Sequence, residues 1–190
     1  MGLLREGINE VIATTDMNAA PMGVIVRNGR HSLVAFLGSH TQQNIRDQGL
    51  MVANIIFDPL VYVKTAFDDL PENAFSEEVV SGRTVHRLAD AEAWVAMEAE
   101  ITRTTPEAVI VRLVPLHEEV IINAIHPVCR GFNSVIEATI HATRFIRTKD
   151  PGLRDLIGHH MTLARKCGGK REIEAINLLS GYINDKIRQE

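Results

Sequence analysis

From Glu10 to about Ile122 apolar and polar residues alternate in short runs, and after Pro127 the repeat lengthens to that of helices. A period of two marks half-buried strands, and a period near 3.6 marks amphipathic helices. Glu10–Thr15, Met22–Arg27 and His31–Leu37 are short, rich in β-branched residues and divided by polar or glycine-containing turns, so each is predicted to be a strand. Asn28-Gly29 between two of them is a tight-hairpin signal, because a type I′ turn needs positive φ at both central residues. Ala91–Arg103 reads as a long strand with Ala93, Val95, Met97, Ala99 and Ile101 on one side, and Val109–Val114 is expected to pair with it. Between the strands His31–Leu37 and Leu50–Phe57 a short helix is expected, with Thr41 as its N-cap and Gly49 closing it. Asp58-Pro59 opens either a second helix through Phe67 or, because Leu60-Val-Tyr-Val63 fits equally well, a strand. Asp68–Thr84, with its paired acids, Pro71 and Ser81-Gly82, reads as an exposed loop.

Three helices follow. Residues 133–147 place Val135, Ile136, Ile140 and Ile146 near one side. Asp150-Pro151 starts a second helix with the stripe Leu153, Leu156, Ile157, Met161 and Ala164, ending at Gly168-Gly169. The third repeats Ile173, Ile176, Leu179, Ile183 and Ile187. The expected fold is α+β: a small, mostly antiparallel barrel over residues 1–127, then a three-helix extension over 128–190, packed on the barrel or on a partner chain.

Composition narrows the class. At 190 residues, 45% hydrophobic and 23% charged, the chain is ordinary globular material. A net charge of −4 and a pI near 6.1 argue against general nucleic-acid binding, which needs a basic face. No apolar run reaches the length of a membrane span, and the charges in MGLLREGINE come too early for a signal-peptide core. Cys129 and Cys167 form no CxxC pattern, which indicates a reducing compartment, and a cytoplasmic location is expected.

The candidate chemistry lies in residues 37–54. A helix start leaves backbone N–H groups unpaired and carries partial positive charge, and hydroxyls from Ser39 and Thr41 beside it would suit a phosphate or serve as an ordinary cap. The run Thr14-Thr15-Asp-Met-Asn-Ala-Ala-Pro-Met-Gly23 and the later T-x-x-N-I-R-x-x-G-x-x-V-x-N pattern, here Thr41, Asn44, Ile45, Arg46, Gly49, Val52 and Asn54, resemble the FMN-binding split barrels of flavin reductases and pyridoxamine-phosphate oxidases. The tail Arg130-Gly-Phe-Asn-Ser-Val-Ile-Glu-Ala-Thr-Ile-His-Ala-Thr-Arg144 resembles a largely archaeal subfamily known as domain of unknown function 447. The resemblance covers essentially the whole chain.

It implies a homodimer that binds FMN at the subunit interface. Phosphate would lie at the turn of Ser39, His40, Thr41, Gln42 and Asn44, and the isoalloxazine against the backbone of Asn18, Ala19, Ala20, Pro21, Met22 and Gly23, with Thr14 and Thr15 leading in. Small residues such as Ala19, Ala20 and Gly23 let main chain approach a flavin edge, and Asn18 can both donate and accept; a plain turn entering a buried strand is the alternative. Arg46 or Arg30 would add charge-assisted contacts if turned inward, and Arg130 would stabilise reduced flavin or else anchor Glu118 or Glu119.

Other signals are thinner. Glu137, His141 and Arg144 share a helix face, as a polar network, a substrate-facing cluster, a solvated face or a buried hydrogen-bonded seam between subunits. His159 and His160 are adjacent, point a quarter turn apart and do not readily share one ion, so no metal site is expected. Trp94 and Phe132 are stacking candidates or core. No GxSxG, Walker, GxGxxG or HExxH pattern occurs. Two functions stand: an oxidoreductase using NAD(P)H to reduce flavin or a small substrate, and a non-catalytic FMN-binding module or electron carrier acting with a protein partner. A third reading makes the helices a partner-binding surface on an empty barrel.

Overall fold

The computed structural model describes residues 2–188. The chain divides into two compact units, one comprising the residues up to Ile56 with Asp69–Ala124, the other Phe57–Asp68 with the residues from Ile125 onward.

In the first unit β1 (Gly7–Thr15), β2 (Asn18–Arg27), β3 (Arg30–Phe36), β4 (Leu50–Ile55), β7 (Ala93–Thr104) and β8 (Ala108–Val120) close an antiparallel barrel in the order β1-β2-β3-β8-β7-β4. Asn28 and Gly29 both have positive φ, 51° and 71°, so the hairpin between β2 and β3 has the turn its sequence predicts. Alternation along the strands sends Val11, Ala13, Leu33, Ala35, Val95, Met97, Val109 and Val111 into one buried core. On β7 the expected side is the barrel side, but Trp94 and Ala96 on the opposite side are buried too, with Leu50, Val52, Val80 and Val85.

That second layer is a correction. Residues 68–84 are not a loop: a short 3-10 turn at Glu72–Ala74 leads into β5 (Phe75–Val80), which pairs with β6 (Arg83–Leu88) as a separate two-stranded sheet. Ser81 and Gly82 take positive φ, 51° and 75°, and form the turn of this hairpin. Only Val80, Val85 and Leu88 on its strands are buried, so one apolar face was hidden among charged residues.

Helix α1 (His40–Gln48) connects β3 to β4, and Gly49 ends it in the left-handed region at φ 65°. Its N-cap is Ser39, whose hydroxyl accepts from the Gln42 amide; Thr41 is the second helical residue and buried, not the cap.

The second unit contains α2 (Pro59–Phe67), α3 (Arg130–Thr148), α4 (Pro151–Cys167) and α5 (Lys170–Arg188). The 59–67 ambiguity resolves as helix: Asp58 caps the Leu60 amide at 2.9 Å, Pro59 fills the first turn, and Val63 is buried among Val135, Ala138, Ile176 and Leu179. Arg171 on α5 pairs with Asp58 at one end of α2, and the Tyr182 hydroxyl of α5 donates to Asp68 at the other. The start of α3 runs close against the loop after α4; a Cβ on Gly131 would lie 2.4 Å from the Gly168 Cα, so any side chain there forces the two apart. Phe132 stacks on Phe57 with ring centroids 4.5 Å apart, and Phe57 stacks in turn on His126. Among the described residues no helix is long and apolar enough to cross a membrane.

Candidate functional site

The β1–β2 hairpin and the start of α1 converge, as their shared polar residues require. Asn18 at the first position of β2 donates to the Thr41 hydroxyl at 3.2 Å, and Asn44 on α1 donates to the Thr15 carbonyl at 2.7 Å. Thr15 and Thr41 are buried, Asn18 and Asn44 half-buried, and together they tie the helix start to the hairpin end. Thr14 belongs to a second tie: its hydroxyl donates to the His86 carbonyl and accepts from Asn54 at 3.1 Å. Asn54, fully buried on β4, also donates to the Ile12 carbonyl and accepts from the Leu88 amide at 2.7 Å, linking β1, β4 and β6.

Not every hydroxyl of the turn is available to a ligand. The Ser39 hydroxyl accepts from the Gln42 amide and donates to the Phe36 carbonyl, so it holds the turn. His40 is exposed, as are Arg30 and Arg46. The free donors are deeper. The Gln42 side chain accepts from the Gly38 amide through Oε1, while its Nε2 is buried without a hydrogen-bond partner among the described residues. Thr41 accepts from Asn18, which leaves its own proton to donate, and the first-turn amides of His40 and Thr41 precede the helix's own hydrogen-bond ladder. A buried amide donor without an acceptor costs about 1–3 kcal/mol. An anion at this helix start would accept from all of them.

The Asn18–Gly23 segment offers something different. β2 pairs with β1 along its length, but with β3 only from Ile25 to Arg27. From Asn18 to Val24 its outer edge therefore carries no strand, and its main-chain donors and acceptors face outward in the row that a flat heteroaromatic edge can read. Pro21 sits within this uncovered edge, where a strand tolerates it. Ala19 is buried; Ala20, Pro21 and Met22 are half-buried. Gly23 has another reason to be small: a Cβ there would come within 2.9 Å of the Ile8 Cγ2 and 3.4 Å of Glu10 Oε1, so the space is already taken by β1 side chains.

Next to Thr14 lies a cavity of about 390 Å³ bordered by Asp16, Leu50, Arg83 and His86. His86 Nδ1 is 3.5 Å from Asp16 Oδ1. Sequence reasoning missed this hollow because its outer wall is β6, whose first two residues fell in the segment read as loop and whose remainder was assigned to no element. Trp94, by contrast, is core: it is buried, and its indole N–H donates to Glu119 at 3.2 Å. Glu119 is thereby engaged at the indole.

Of the polar face on α3, Glu137 and His141 are joined not by Arg144, which is exposed, but by His160 of α4. Burial holds the His160 pKa below the ordinary histidine value.

Two family models described as protein of unknown function DUF447 match the chain, the N-terminal one over residues 9–122 and the other over residues 129–181. Among solved structures, an FMN-bound protein of that family from Methanosarcina mazei is 36% identical, with 94% of this chain and 96% of that chain covered at a TM-score of 0.88. A 2-nitrobenzoate 2-nitroreductase from Pseudomonas fluorescens is 15% identical over 63% of this chain and 67% of that one, TM-score 0.48. A flavin reductase complexed with NADP+ is 15% identical over 63% and 83%, TM-score 0.47.

Proposed function

The chain belongs to the DUF447 family of proteins of unknown function, and from that membership we propose that it is an FMN-binding flavoprotein acting as an oxidoreductase, with NAD(P)H as electron donor and flavin or a small organic molecule as acceptor. The observation that carries the reading is the FMN held by a family member that matches this chain almost end to end at 36% identity. The residues here fit that group. Thr41, the orphaned Nε2 of Gln42 and the amides opening α1 would take the phosphate, and the uncovered β2 edge from Asn18 to Met22 would take the ring's polar edge. Ser39, Asn44 and Thr15 hold those donors in place, while Thr14 ties β1 to β4 and β6 behind them.

Bound FMN supplies hydride chemistry at its N5 position, so the chain's work is to bind, orient and shield it rather than to provide an acid or base. This agrees with the lack of a catalytic signature in the sequence. We place the protein in the cytoplasm, as a homodimer with FMN at the subunit interface. Val34 and Phe36 on the outer face of β3, each about half exposed, give the barrel an apolar surface that a second copy would cover.

Reconstitution with FMN and anaerobic stopped-flow mixing with NADH and with NADPH test the proposal. The expected outcome is one FMN per chain and bleaching of the flavin band by at least one nicotinamide. Bleaching by dithionite or a reduced partner protein alone would assign an electron carrier instead, and protein that takes up no FMN would overturn both readings.

A further inference from the structure

The helical unit carries a cluster that flavin binding leaves unused. Glu137 and His141 stand one turn apart on α3, and His160 reaches them from α4, so that one donor atom from each lies within 4.8 Å of the others. His141 Nε2 is 3.9 Å from Glu137 Oε2. The two imidazoles stack with centroids 5.5 Å apart and planes inclined by 29°. Hydrogen bonding does not account for this arrangement: Nδ1 of His141 and Nδ1 of His160 are both closed off from solvent and neither has a partner among the described residues. Each ring thus keeps a buried nitrogen that no hydrogen bond orients, His141 turns its Nε2 toward the carboxylate, and the three side chains together offer electron pairs to one common point.

We propose that Glu137, His141 and His160 bind one divalent transition-metal ion of the zinc class. Two imidazoles and one carboxylate are the ligands that such ions select, whereas calcium and magnesium require oxygen-rich shells. The i, i+4 spacing of Glu137 and His141 projects two ligands from one helix face, and α4 supplies the third. Three protein ligands leave a fourth tetrahedral position to water. Zinc–ligand bonds of about 2.0–2.2 Å require donor atoms closer together than they are here, so binding would draw the rings and the carboxylate inward. Glu137 is half exposed and His141 mostly covered, which gives the ion an entrance on the carboxylate side. His159, exposed and edge-on to His160 at 5.3 Å, is not part of the set. As neighbours on α4, His159 and His160 do not share an ion; the fold pairs His160 with α3 instead.

Zn2+ alone is titrated by calorimetry into the full-length protein after EDTA treatment and dialysis, with elemental analysis of the dialysed complex. One equivalent per chain is expected. His141→Ala and His160→Ala should each weaken binding by about 100-fold or more, and His159→Ala should not change it. Should either alanine variant fail to fold, the wild-type protein still decides: Zn2+ should shift the imidazole proton resonances of His141 and His160 and leave those of His31 and His40 in place. Uptake well below one equivalent overturns the assignment, as do binding that survives loss of His141 or His160 and resonance shifts confined to other histidines.

Discussion

Thr41 and Gln42 adjoin at the start of α1, yet they ask different questions of a phosphate. Thr41 contributes one hydroxyl proton beyond the bond it accepts from Asn18, and Thr41→Val removes that proton at nearly constant volume. Hydrogen bonds to charged groups contribute about 1.5–3 kcal/mol, so FMN affinity should fall about 10-fold or more, read by fluorescence titration. Gln42→Glu keeps the oxygen that accepts from the Gly38 amide but replaces the orphaned donor with negative charge, and should weaken FMN further than Thr41→Val does. Equal affinity in both variants and the wild type would remove the phosphate from this turn. Asn54 acts on stability instead. Asn54→Ala would strip the buried Leu88 amide of its acceptor and lower unfolding free energy by about 2–3 kcal/mol in urea melts, a sum of one unsatisfied group and lost bonds to Ile12 and Thr14.

Among the elements, the long strands and the three C-terminal helices were legible because each keeps one period, although β7 buries both of its faces over Ala93–Met97. The β5–β6 hairpin was not. Glu77, Glu78, Arg83 and Arg87 crowd its few apolar positions, and its turn, Ser81-Gly82, lacks the asparagine that betrayed Asn28-Gly29. The cavity beside Thr14 was lost with it. At the candidate site the participating segments could be read, but the division of labour could not. That Ser39 caps while Gln42 Nε2 stays unpaired depends on where Gly38 and Phe36 point, which no spacing encodes. α2 was ambiguous for a related reason: a nine-residue, mostly apolar segment suits either period, and its two ties to α5 decide the matter. One of those ties titrates. Burial first, then the hydrogen bond to Asp68 and its negative charge, push the Tyr182 pKa up to about 12 from an ordinary 10.0. The folded state therefore keeps this proton after the unfolded chain has released it, so stability should decline as pH rises from about 10 toward 12. Tyr182→Phe should flatten that part of the stability profile relative to wild type, measured by denaturant melts at pH 9, 10 and 11.

For the whole molecule, the boundary between units does not follow the order of the chain. α2 lies among barrel strands in sequence but belongs with the helices, where Val63 is fully buried. A protein cut after Ala124 would retain every barrel strand, yet leave Leu60, Val63 and Phe67 without α3 and α5. Such a fragment should aggregate, with the void-volume peak in size exclusion reduced when Leu60 and Val63 are made polar. The same arrangement acts during synthesis. About sixty residues separate the end of α2 from the start of α3, so at about 5–20 residues per second α2 waits several seconds on the ribosome before its first packing partner emerges. For that interval the nascent chain presents an apolar nine-residue segment, too short to hold a helix alone, as a window for chaperone capture that the finished protein no longer offers.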